Sequence, residues 1–197
     1  MNHDRLRKQL DFIFEVDKIK SIIRKTKLFD KSRFENDAEH SWTVCLMALA
    51  MKEYANFTVD IEKVIQMLLI HDVIEVYCGD TFLYAKERES IHVKEDEAAK
   101  KIFGMLEADQ RDFYYKLWCE FEARETNEAK FAAVFDRLEP LLQNFKNEGY
   151  TWKANGITKE MVIAKNSYIA DGSEELWAFA RSLIDESVEL GYLAEKE

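Results

Sequence analysis

The amino-acid sequence predicts an all-α protein, a single-domain helical bundle, on three observations. One proline and six glycines in 197 residues are too few turn residues for a sandwich or barrel of many short strands. Hydrophobic residues make up 47% of the chain, enough to build a packed core. Those residues recur at helical spacing, and capping side chains stand in front of several of the runs.

Taken in order, Leu6, Leu10, Ile13, Phe14, Ile19, Ile22 and Ile23 approximate the helical period, so residues 4–25 read as an amphipathic helix. The basic and polar stretch from Arg24 to Arg33 reads as a loop. A second helix is predicted from Asn36 to about Tyr54, because N-D-A-E offers a capping side chain with Glu39 three residues on. Asp60 can cap a third, whose apolar positions Ile61, Val64, Ile65, Leu68 and Leu69 lead directly into His71-Asp72. Gly79 and Asp80 form a break. Residues 87–107 are highly charged, with Ala98, Ile102, Met105 and Leu106 as a sparse apolar stripe.

Further helices start near Asp109, running through Phe113, Leu117, Trp118 and Phe121, and at Asn127, where Phe131, Val134, Phe135, Leu138, Leu141 and Leu142 mark the buried face. Pro140 lies inside the second of these and is expected to kink it, because it removes the bond to the carbonyl of Asp136. A polar loop from Gly149 to Gly156 precedes a short helix near 159–166 and a last one from Ser173 to Leu190. No repeat or composition break divides the chain. Residues 1–197 therefore read as one domain.

The charge balance is 28 basic against 38 acidic residues, a formal net charge of −10. With no block of lysines or arginines, this disfavours nucleic-acid polymers and anionic membranes as partners. Charge alone also argues against an anionic substrate. Cys45, Cys78 and Cys119 are odd in number and form no C-x-x-C pair, so they read as reduced thiols of a cytoplasmic protein. The N-terminus lacks the apolar stretch of a signal peptide, and the most apolar run, Trp42 to Met51, is about half the length of a membrane span.

Phosphate-loop, dinucleotide-binding and nucleophile-elbow motifs are absent, as is H-E-x-x-H. What stands out is a set of metal-capable side chains in apolar surroundings: His40 in AEHSW, His71 and Asp72 after IQMLLI, Glu75 one turn on, Asp80, and Asp136 among apolar residues. Adjacent helical residues project about 100° apart, so His71 and Asp72 share an ion only over a groove. Residues three or four apart share a face, which sets Glu75 beside both. Two imidazoles and two carboxylates would suit a divalent ion, Mn²⁺, Fe²⁺, Co²⁺ or Zn²⁺, and activate bound water. Equally, His40 can be a helix-start cap, Glu75 an i,i+4 partner of His71, and Asp136 a buried carboxylate paired with Arg137. Spacing alone leaves both readings open. His3 and His92 lie in polar segments and read as solvated, and the four tryptophans read as core or edge residues.

The segments R-F-E-N-D-A-E-H-S-W (33–42), M-L-L-I-H-D-V-I-E-V-Y-C-G-D (67–80) and E-A-K-F-A-A-V-F-D-R-L-E (128–139) resemble the HD-domain metal-dependent phosphohydrolase superfamily, in the branch of the bacterial 5′-deoxynucleotidases. The similarity extends from about residue 10 to about residue 145, which implies a metal-site core over about 10–145 and a C-terminal helical extension over about 146–197. It implies a helical bundle around one divalent ion (Mg²⁺ joins the candidates), a phosphomonoester substrate such as a nucleotide, and a homodimer. His40, His71, Asp72 and Asp136 match the family's metal ligands, Glu75 its acid/base position, and Asp80 a carboxylate near the attacking water or the substrate. Arg24 is the counterpart of an arginine that holds the phosphate, with Arg33 as the alternative; Arg33 is also a candidate partner for the acidic residues around it. In the branch a tryptophan follows that arginine near the sugar; here Lys25-Thr26 replaces it.

The leading expectation is therefore hydrolysis of a nucleoside 5′-monophosphate. Competing readings are an HD-type phosphodiesterase or polyphosphate hydrolase with the same site, and a non-enzymatic helical binding protein with a structural metal. The −10 charge is compatible with the first, because a metal held by carboxylates makes a local positive centre inside an acidic protein. Tyr150 or Trp152 is expected to close over the site.

Overall fold

The computed structural model describes residues 3–84 and 89–195, with side chains from residue 93 onward in the second stretch. The predicted helical class is what forms. Helix α1 (Asp4–Val16) runs into a 3-10 turn (Asp17–Ser21), and then the chain departs from the expected helix. Ile23–Lys27 is strand β1, paired antiparallel with β2 (Phe34–Asn36), with Ile23 opposite Asn36 and Lys27 opposite Phe34 and an irregularity between. The reason is periodicity: from Ile22 to Lys27 exposure alternates residue by residue, Ile23 and Lys25 outward and Thr26 buried. Three apolar residues at the end of a run match both periods, and sheet pairing decides between them.

Helix α2 (Asp37–Ala50) starts on the predicted capping box: the Asn36 side chain accepts from the Glu39 amide at 3.0 Å, and the Asn36 amide donates to the Glu39 carboxylate at 3.1 Å. It ends at Ala50, and a separate 3-10 turn covers Lys52–Tyr54. Helix α3 (Ile61–Ile70) is capped by Asp60, which accepts from the amides of Glu62 and Lys63. The short α4 (Glu75–Cys78) stops at Gly79, whose φ of +74° lets the chain reverse toward Asp80. There follow α5 (Glu89–Phe103), α6 (Ala108–Ala123) and α7 (Asn127–Lys146), the last capped by Thr126 and carrying Pro140 in its interior.

The expected polar loop at 149–156 is instead a short helix, α8 (Tyr150–Ala154), because Trp152 is buried and draws the segment onto the core. Gly149 precedes it at φ +72°, where a Cβ would lie 1.9 Å from the Tyr192 carbonyl oxygen. Helices α9 (Lys159–Asn166), α10 (Ile169–Gly172) and α11 (Glu174–Glu189, capped by Ser173) complete the chain.

Helix α7 is the axis of the bundle. Phe131, Val134, Phe135 and Leu138 are buried along it, and it packs against α2, α3, α6, α10 and α11. One apolar core runs from Ile19 to Leu193. The stripe on α1 is another departure: Leu6, Leu10, Ile13 and Phe14 are exposed, while Phe12 and Val16 make the contact with the core. Of the tryptophans, Trp118 and Trp152 are buried and Trp42 faces solvent. His3 is exposed; the side chain of His92 lies outside the described residues. Among the described residues no helix is long and apolar enough to cross a membrane, and the three cysteines are free thiols.

Candidate metal centre

The α2–α3–α7 packing brings the four expected ligands together. His40 lies one turn into α2, so the capping box that starts the helix also sets its height. His71 terminates α3, Asp72 follows, and Asp136 projects from the middle of α7. His40 Nε2 is 3.3 Å from Asp136 Oδ1 and 3.8 Å from Asp72 Oδ2. His71 Nε2 is 3.2 Å from Asp72 Oδ2 and 3.6 Å from Asp136 Oδ1.

The far side of each ring fixes which nitrogen faces inward. His71 Nδ1 is 2.8 Å from the carbonyl oxygen of Leu68, which can only accept, so Nδ1 donates and Nε2 keeps its lone pair for the centre. His40 Nδ1 is 3.2 Å from Oε2 of the fully buried Glu139, which turns Nε2 toward the centre. Both Nε2 atoms are buried and have no hydrogen-bond partner among the described residues. Two orphaned imidazole nitrogens facing two carboxylates are a donor set that fits a divalent cation.

The electrostatics point the same way. Burial opposes the charged form of His71, yet Asp72 and Asp136 overcome it and push its pKa up to about 10. Burial likewise works against the charge on Asp72, and the His71 and Arg24 charges outweigh it, holding the carboxyl below its ordinary range. Asp136 is held well below that range: burial is again opposed and outweighed, here by Arg137 and the two imidazoles. The centre is an arrangement that favours positive charge between these carboxylates.

Asp37, Glu75 and Asp80 form a second group, with one oxygen from each within 4.8 Å of the others. Burial and the neighbouring Asp72 raise Asp37 to about 6, and burial with Asp72 and Asp37 raises Glu75 well above its ordinary value. Asp80 is raised too, by burial first. Glu75 Oε2 is buried with no hydrogen-bond partner among the described residues, and burial beside Asp72 and Asp37 makes this carboxyl hold a proton more tightly than a free one. That suits proton transfer at neutral pH.

Arg24 reaches the site from β1. Its guanidinium contacts Asp72 at 3.0 Å, Asp37 at 3.2 Å and Glu35 at 3.6 Å. Together with His71, Asp72, Glu75, Asp80 and Asp136 it lines a cavity of about 710 Å³. Arg33 does not come to that cavity. It is exposed at the hairpin, and its guanidinium is held by Glu39, so it braces the capping residue of α2. Of the two aromatics expected to cover the site, Trp152 is buried and lines a second cavity together with Arg24, Asp80 and Arg137, whereas Tyr150 lies at the surface under the Lys27 ammonium, 3.8 Å from its ring centroid.

Sequence reasoning did not single out Glu35 and Glu139, the buried carboxylates behind His40, nor Asp37 beside Arg24. Each stands next to a motif residue, but nothing in its local pattern distinguishes a buried carboxylate from a solvated one.

Comparisons with known proteins agree with the geometry. The family model for the HD domain matches residues 16–177. The chain is 30% identical over 139 residues to the human 5′-deoxynucleotidase HDDC2, covering 70% of this chain and 67% of that one. The bovine protein of the same name is 30% identical over 140 residues, covering 70% and 66%. The matched stretch thus spans about two thirds of the length of these relatives. A crystal structure from Magnetospirillum magnetotacticum, described as a predicted metal-dependent phosphohydrolase, is 49% identical with a TM-score of 0.91, covering 97% of this chain and 99% of that one.

Proposed function

Because this chain belongs to the HD-domain family, we propose that it is a divalent-metal-dependent phosphohydrolase that releases phosphate from nucleoside 5′-monophosphates. One observation carries the reading: two orphaned, buried Nε2 atoms meet two carboxylates at the cavity that Arg24 and Glu75 also line. The relatives named 5′-deoxynucleotidase support the nucleotide as substrate.

His40, His71, Asp72 and Asp136 would hold the ion, with Mn²⁺, Co²⁺ or Fe²⁺ suited to the mixed nitrogen and oxygen donors and Zn²⁺ or Mg²⁺ as alternatives. When bound, the metal supplies Lewis-acid stabilisation of the phosphoryl group and a water acidic enough to attack it near neutral pH. The protein's own groups do the rest. Arg24 neutralises phosphate oxygens through its planar fork. Glu75 relays protons at the reacting oxygens, and Asp80 orients the water or the leaving group. Glu139 keeps His40 in the tautomer that presents Nε2.

We further propose a homodimer, supported by the apolar side chains that α2 leaves in solvent: Trp42, Leu46 and Leu49 share one helix face and are 66%, 51% and 55% exposed.

The test is a phosphate-release screen of the full chain, loaded with Mn²⁺ or Co²⁺, over nucleotides and sugar phosphates. The expected result is orthophosphate from nucleoside 5′-monophosphates, abolished by chelator and by Asp72→Ala. Pyrophosphate release from polyphosphates, or no phosphate from any monophosphate, would overturn the proposal.

A further inference from the structure

The same cavity contains a second cationic group that the reading above leaves unused. Arg137 follows Asp136 on α7 and faces the cavity beside it, Nη2 lying 3.6 Å from Asp136 Oδ2. Its Nε donates to the Tyr168 hydroxyl, which holds the plane of the guanidinium. Tyr168 is itself bracketed: the Arg124 guanidinium stands 4.2 Å from its ring centroid and that of Arg137 5.8 Å. All three residues line the 710 Å³ cavity that holds Asp72 and Asp136.

Two features distinguish this cation from Arg24. Arg24 is held by three carboxylates, whereas among the described residues Asp136 is the one carboxylate within ion-pair distance of Arg137, with Glu122 farther off on the same cavity. Asp136 also faces both histidines through Oδ1, so if it held a cation there its charge would be shared and the largely buried guanidinium would be less fully balanced. Moreover, Arg24 and Arg137 line the same two adjoining cavities and repel each other through that space. An anion between them relieves the repulsion.

We propose that Arg137, aligned by Tyr168 and buttressed by Arg124, is a phosphate-binding residue that takes the phosphoryl oxygens of a phosphate monoester lying against the metal ligands. Arg124 acts at the rim through the tyrosine ring, and Tyr168 is a positioning residue. The proposal rests on the phosphohydrolase reading and names the second clamp of its substrate.

Orthophosphate, the product of that reaction, is the probe. Its binding to the Mn²⁺-loaded full chain is followed by calorimetry, with metal content measured on the same samples. Arg137→Ala is expected to weaken orthophosphate binding about tenfold or more, the scale of a lost charge-assisted hydrogen bond, with metal content unchanged. Tyr168→Phe removes one oxygen atom and keeps the ring. It is expected to raise KM for a phosphate ester and the inhibition constant of orthophosphate by the same factor, with kcat changed less. Wild-type affinity in either variant, or loss of metal in Arg137→Ala, overturns the proposal. A wild-type protein that binds orthophosphate through Arg137 but hydrolyses no monophosphate defeats the phosphohydrolase reading instead.

Discussion

At the scale of residues, the centre is a layered arrangement of charge. Behind His40 lie Glu139, 3.2 Å from Nδ1, and Glu35, 3.9 Å away, both almost wholly buried. Burial and the nearby Glu139 raise Glu35 to about 8, so two adjoining carboxyls need not both be charged at neutral pH. On the open side, Glu122 lines the cavity, and burial, with the Glu95 charge beside it, raises its pKa to about 7. The folded chain therefore binds the Glu122 proton more tightly than the unfolded chain. The stability this contributes is full below the ordinary carboxylate pKa and is lost as pH rises through about 7. Glu122→Gln, an uncharged mimic of the protonated form, should match the wild type in thermal melts of chelator-treated protein near pH 4.5 and melt higher at pH 8. An offset that is the same at both pH values would remove Glu122 from this role.

At the scale of elements, capping signals were the most legible feature. Asn36 with Glu39 and Asp60 before Ile61 could be read directly, because a cap is satisfied within its own first turn. The β1–β2 hairpin could not. Its pairing is set between residues about ten apart, and it carries Arg24 and Glu35 to the centre from a stretch that reads as helix end and loop. Helix α8 was missed for a similar reason: polar residues and two flanking glycines conceal a tryptophan whose burial is a tertiary event. The capping box links element to site, since it fixes the first turn of α2 and His40 within it. Asn36→Ala should cost about 0.5–2 kcal/mol in urea unfolding. It should also weaken Mn²⁺ binding, read by competition with a chelator. A stability loss with unchanged Mn²⁺ affinity would show that α7 alone holds His40 in place.

At the scale of the molecule, the −10 charge and the phosphate substrate are reconciled by distribution. Arg24, Arg124 and Arg137 are gathered at one cavity, where the candidate ligands would be neutralised by the ion they hold. The apolar surface is uneven too. Exposed Leu6, Leu10, Ile13 and Phe14 on α1, and Trp42, Leu46 and Leu49 on α2, are costly in water unless covered. If a second copy covers the α2 face, the chain should sediment at twice its 23.2 kDa mass, and Leu46→Glu with Leu49→Glu should return it to one. A monomeric wild type at micromolar concentration would refute the dimer.

By itself the sequence determined the helical class and the helix starts, which depend on periodicity and caps, both local along the chain; the candidate metal ligands came from the resemblance of three motifs to a family, because spacing alone left them open. Only the tertiary structure decided that Arg33 braces a helix cap while Arg24 enters the cavity, that Glu35 and Glu139 stand behind His40, and that Arg137 is aligned by Tyr168 from α7 and the α9–α10 turn. The physical reason is that burial and charge pairing are properties of neighbours in space. Arg137 and Tyr168 stand 31 positions apart, and His40 and Glu139 stand 99 apart, distances across which no local pattern reaches.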